Sequence, residues 1–236
     1  MENNNETLTT KEHSKIAEAR GKIYGFLGFI YLQKPTSDFF KNVIFNEEFY
    51  SSVSKLNIED AEIKDGLKIL ENFLLGSKKK SLEELTDVLA AEYARLFRGI
   101  KRDYSPPPPY ESVYRGEGFV MGELATQVAK KYAEVGVKLA DEYGNEPPDY
   151  IGLELHFMNF LCNKEANSWK SGKDDEVLKF LKLEEKFLRE HLITWVPNFC
   201  DVVIDQDKSG FYKSIAKITK AFILHDIKYI STLLLL

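Results

Sequence analysis

Apolar side chains return at three- and four-residue intervals along almost the whole of this chain, and strand-like alternation is nearly absent. A 3.6-residue period gathers such positions on one face of a helix, which is buried by packing helix on helix. Ile16, Ile23, Leu27 and Ile30 mark a helix from about Glu12 to Leu32, stopped by Pro35. A shorter helix follows from Ser37, and another covers Glu47 to Leu56. Ile63, Leu67, Leu70 and Leu74 mark the next, ended by Gly76 and a lysine turn at residues 78–80. Ser81 and Glu84 form a capping box ahead of Leu85, Leu89, Tyr93 and Leu96. The proline run Pro106 to Pro109 imposes an extended crossing, since each ring fixes φ and removes a donor. Helix resumes from Gly118 to about Val135. Asp149, after Pro147-Pro148, is read as the cap of a helix carrying Ile151, Leu155, Met158 and Cys162, which Gly172 breaks. Val177, Leu181 and Leu188 lie on the next. A helix over His191 to Asp205 is expected to be interrupted at Pro197, and a last one runs from Ser209 to Ile230. The expectation is an all-α fold: a single-domain bundle of about ten helices over residues 11–236, after a disordered lead over residues 1–10.

At 236 residues, 44% of them hydrophobic, the chain can bury a core without disulfides or a structural metal. Cys162 and Cys200 each lie in an apolar run and form no CxxC pair, which reads as buried thiols in a reducing compartment. The polar, acidic start has no basic segment followed by an apolar one, and no apolar run approaches the ~20 residues of a membrane helix. A cytoplasmic location without membrane insertion is expected. A net charge of −5 argues against nucleic acid as the main partner.

Catalytic signatures are missing. There is no GxxxxGK[ST] loop, GxGxxG, GxSxG or HExxH. Glu154 and His156 are two apart and point to different helix faces. His225-Asp226 and Asp174-Asp175 resemble metal-binding pairs, but neither has the further acidic residues such sites require. The first reads as a solvated or capping pair, the second as acidic residues at a helix start. Neither a catalytic residue nor a metal nor any other cofactor is expected.

Four segments are unusual together. They are Glu92-Tyr93-Ala94-Arg95-Leu96-Phe97-Arg98-Gly99; Pro106 to Pro109 followed by Tyr110-Glu111-Ser112-Val113-Tyr114; Glu146-Pro147-Pro148-Asp149-Tyr150 running into Glu154-Leu155-His156-Phe157-Met158; and Glu190-His191-Leu192 with Trp195, Pro197 and Phe199. In order and spacing they resemble the TorD/DmsD/NarJ family of redox-enzyme maturation chaperones, over roughly Glu83 to Phe222. The resemblance implies an all-α protein, not an enzyme. Its partner would be the apo-form of a molybdopterin-containing oxidoreductase together with that enzyme's twin-arginine signal peptide, held in the cytoplasm until the cofactor is inserted. Monomer and dimer are both compatible with it. A helical adaptor for a folded partner, or a helical enzyme with an unrecognised site, is the alternative.

Carried over by position, the resemblance places binding at Pro148, Asp149, Tyr150 and Glu154, and at Tyr93, Leu96 and Phe97. Glu111 is a further candidate carboxylate. A twin-arginine leader offers guanidinium groups and then an apolar helix, so its binder needs carboxylates beside an apolar groove. Asp149 is also expected as a helix cap, and Tyr93, Leu96 and Phe97 also fall on a core stripe. The family most often has histidine where this chain has Tyr150, so a role needing an imidazole there is lost while an aromatic contact survives.

Overall fold

The computed structural model describes residues 9–44, 47–56, 58–99, 105–117, 121–140, 143 and 145–235. Among these, the chain forms α1 (Thr10–Leu32), α2 (Ser37–Ile44), α3 (Glu47–Lys55), α4 (Ala61–Ser77), α5 (Leu82–Phe97), α6 (Glu111–Tyr114), α7 (Glu123–Glu134), α8 (Ile151–Lys170), α9 (Asp174–Phe187), α10 (Ile193–Gln206) and α11 (Phe211–Leu233). A π turn, Leu188–Leu192, joins α9 to α10. The only β pairing among the described residues is one antiparallel bridge between Tyr110 and Tyr150. The all-α expectation is met. The expectations for residues 1–8 and for a helix start at 118–120 lie outside the described residues; α7 begins at Glu123 behind Gly122.

Local side-chain signals set the starts of α1, α4 and α5. Thr9 and Glu12 make a capping box at α1, Ser81 and Glu84 make the expected one at α5, and Asp60 caps α4. Asp174 and Asp175 lie in the first turn of α9, as expected of acidic residues near a positive helix end.

The core is built on α1, which runs along α8. The two backbones touch where Gly28 meets Gly152. A Cβ on Gly152 would fall 2.5 Å from Leu32 Cγ, and one on Gly28 would fall 3.0 Å from the Gly152 carbonyl. α11 packs against α4 and α10 and reaches α1 through Phe222 on Tyr24 and Thr219 at the Tyr31 hydroxyl. Tyr24, Leu27, Tyr31, Phe97, Trp195, Phe199, Tyr212 and Phe222 fill the interior. Each such side chain is worth about 1.5–3 kcal/mol when fully buried. Cys162 and Cys200 are buried and free, as their apolar surroundings suggested.

Three local expectations are corrected. Pro197 does not interrupt its helix: α10 runs through it, and the irregularity is the π turn immediately upstream. The proline stands at the fifth residue of α10, so its missing N–H leaves only one early carbonyl without its usual partner. Asp149 does not cap α8. Tyr150 holds that position in extended geometry without a side-chain cap, and the Asp149 carboxylate turns back instead to accept from Ser112 N at 2.9 Å. It therefore caps the short helix α6 from a distant part of the chain. Asp226 is neither solvated nor a cap. It is buried and ion-paired with Arg20.

Candidate functional site

The four unusual segments converge. Glu111 N donates to the Asp149 carbonyl and Ile151 N to the Pro109 carbonyl, so the strand-like edge after the prolines zips onto the start of α8. The end of α5 and the π turn close the same region through side chains.

Its centre is a layer of buried acids. Glu111, Asp149 and Glu154 have no solvent exposure. Glu111 Oε2 lies 2.8 Å from His191 Nδ1, and its Oε1 accepts from Arg115 Nη1 at 2.5 Å. The π turn is what carries His191 to that position. Glu154 Oε2 accepts from the Trp195 indole at 3.1 Å, and Tyr132 donates to the Pro148 carbonyl at 2.8 Å. Asp149 Oδ1 and Glu154 Oε1 are buried without a hydrogen-bond partner among the described residues. Burial first, then the charges of Glu111 and Asp149, hold the Glu154 carboxyl well above the ordinary range, which favours a protonated acid. As an acid it can donate to Glu111 and so relieve the crowding of three carboxylates.

Above this layer lies an aromatic shelf. The hydroxyls of Tyr93 and Tyr150 both reach the carbonyl of Tyr31 at the end of α1, at 2.8 and 2.6 Å. They satisfy a helix end whose last carbonyls have no partner inside the helix. Leu96 and Phe97 lie in the core behind them. Arg98, the C-cap of α5, extends over both tyrosine rings, 5.5 Å from the centroid of Tyr93 and 5.3 Å from that of Tyr150. It bonds Glu146 at 2.9 Å, and Tyr110 donates to the other oxygen of the same carboxylate at 2.6 Å.

The residues expected from sequence are thus brought together, but facing inward. Tyr93, Leu96, Phe97, Glu111, Asp149, Tyr150 and Glu154 are all buried, and Pro148 is half-buried. Arg98, Arg115, Glu146 and the Pro147-Pro148 turn stand nearer the solvent. Sequence reasoning passed over three contributors: Arg98, His191 as the partner of Glu111, and Trp195 as a donor rather than packing alone. All three stood inside the quoted motifs, so the signal was there without a pairing. Glu92 and Arg95, three residues apart on α5, pair with each other at 2.8 Å.

A second buried cluster was not foreseen at all. Arg20 on α1 is fully buried and bonds Glu165 of α8, Glu184 of α9 and Asp226 of α11, the first and last at 2.6 and 2.5 Å. Tyr24 donates to Asp226 at 2.7 Å. Among the described residues no group of His, Cys, Asp and Glu could hold a metal ion, and no helix is long and apolar enough to cross a membrane.

The four motifs, far apart in the chain, thus meet in one part of an all-helical fold. Residues 58–201 match the family described as nitrate reductase delta subunit, and the chain belongs to that family. It is 28% identical over 227 residues to the chaperone protein TorD of Vibrio atlanticus strain LGP32, covering 94% of this chain and 99% of that protein. It is 32% identical over 138 residues to the TorD chaperone of Vibrio cholerae serotype O1 strain O395, where the match spans 58% of this chain and 60% of the relative's length. The TorD chaperone of Aliivibrio fischeri is 27% identical over 177 residues, 73% of this chain and 77% of that one.

Proposed function

We propose that this chain is a cytoplasmic, system-specific chaperone whose single domain, over residues 11–236, binds the apo-form of a molybdopterin-containing oxidoreductase during cofactor insertion. The observation that carries the reading is the near end-to-end match to a protein named as a TorD chaperone. The convergence of the four motifs on one face supports it. The client's signal peptide, with its paired arginines and apolar helix, binds at the rim of the layer formed by Tyr93, Leu96, Phe97, Glu111, Pro148, Asp149, Tyr150 and Glu154. Those side chains set the rim's shape and charge from beneath.

The test is affinity capture of the tagged chain from cells making a molybdoenzyme, with bound polypeptides identified by mass spectrometry. Recovery of one such enzyme lacking its cofactor, leader uncleaved, is the expected result. Capture of the mature enzyme alone would favour an adaptor for a folded partner, and capture of no oxidoreductase would remove the chaperone reading.

A further inference from the structure

Of the arginines near the site, Arg98 is held differently from its neighbours. Arg95 grips both oxygens of Glu92 with two nitrogens, at 2.8 and 2.5 Å, and adds the Gln206 carbonyl. Arg115 is tied to the buried Glu111 and to the Glu190 carbonyl. Among the described residues Arg98 has a single bond to a carboxylate, Glu146, whose other oxygen accepts from Tyr110. Its other contacts among them are a 3.1 Å bond to the Tyr93 hydroxyl and the two tyrosine faces. Its side chain is 34% exposed and that of Glu146 is 18% exposed, so solvent reaches this pair while the acids beneath it are sealed.

We propose that Arg98 is the internal occupant of a guanidinium site: the notch between the Tyr93 and Tyr150 rings, closed by Glu146, takes an arginine of a bound leader peptide when Arg98 swings out. The chemistry is specific to a guanidinium. Two aromatic rings favour a flat, weakly hydrated cation, and a carboxylate at the edge fixes its in-plane N–H groups. An ammonium is compact and strongly hydrated and gains less from the rings. The C-cap position lets Arg98 leave without unwinding α5, since its backbone N–H is bonded to the Ala94 carbonyl independently of its side chain. Tyr150 now has a purpose beyond its hydroxyl bond: it supplies one wall, which the more usual histidine would supply as a smaller ring. The assignment of the ligand to a leader rests on the chaperone reading; the existence of the notch does not.

Two probes separate those questions. The Arg98→Ala variant of the full chain is titrated with ethylguanidinium, with ethylammonium as control, and followed by thermal unfolding. A saturable rise in melting temperature with ethylguanidinium alone, absent in the wild type, is expected. An equal response of variant and wild type, or of both cations, overturns the proposal. Arg98→Gln serves if the alanine variant does not fold. In parallel, a synthetic peptide with an Arg-Arg pair ahead of a leucine-alanine run is measured against wild type and variant by calorimetry. Removing the competing side chain should tighten its binding about fivefold or more, and a Lys-Lys version should lose that gain. A guanidinium response without any peptide gain upholds the notch and counts against a leader as its ligand.

Discussion

The two buried ionic clusters of this protein are built on opposite terms. At the first, Arg20 sits among Glu165, Glu184 and Asp226, and each carboxylate receives an N–H from one permanent cation. It ties α1, α8, α9 and α11 together. At the second, Glu111, Asp149 and Glu154 are equally buried, but among the described residues no permanent cation lies buried among them. Arg115 is only partly buried, and Asp149 and Glu154 are served by a backbone amide and an indole. A guanidinium shared by three carboxylates specifies where helices meet, although burial raises Glu165 and Glu184 there as well. Where no buried guanidinium is shared, the acids are left to a proton and to neutral donors, and these lie next to the proposed client rim. The difference teaches that equal burial does not mean equal purpose.

The largest expected effect breaks the first cluster. Arg20→Met leaves three carboxylates facing one another in the core, and should cost about 3–5 kcal/mol in urea unfolding. A cost near zero would mean that these acids are neutral without Arg20 and that the cluster does not lock the fold. In the second cluster, His191→Leu removes the 2.8 Å partner of a buried Glu111 and should cost about 1–3 kcal/mol. Asp149→Ala removes the cap of α6, at about 1 kcal/mol, a few degrees of melting temperature. Its effect on client binding should exceed that loss, because α6 carries Glu111. Binding unchanged at the lower stability would reduce Asp149 to a cap.

The smallest effect is the most diagnostic. Glu154 binds its proton more tightly in the folded chain than in the unfolded one. The stability this contributes is present in full below the unfolded value of 4.5 and is lost as pH climbs through the raised folded value. Glu154→Gln, which resembles the protonated acid, should change stability little at low pH and flatten the decline at higher pH. Glu165 and Glu184 are raised in the same direction by burial, so the comparison of variant with wild type across pH isolates Glu154. Identical pH profiles would place the proton elsewhere.

The helices and many of their ends were legible because the signals are local. A 3.6-residue period, the Thr9 and Ser81 capping boxes and the acidic start of α9 act within a turn or two of themselves. The four motifs that form the site were legible as well, as residues that belong together. Their orientation was not. Asp149 has the sequence of a helix cap for α8, and only the pairing of the Tyr110 and Tyr150 segments turns it toward α6. Pro197 has the sequence of a break, and the π turn ahead of it leaves α10 continuous.

Arg20 marks the limit most clearly. Its three partners lie 145, 164 and 206 residues away, and nothing within a helical turn of any of them announces the others. The chain's helical character and many of its helix starts could be read from sequence because propensity, capping and periodicity are short-range; that the four motifs belong together was carried by the family resemblance. The packing of the helices decided which acids are buried and which cation answers them, and it laid Arg98 against two tyrosine rings. Those outcomes depend on desolvation and on pairing between distant helices, and neither exists until the helices have packed.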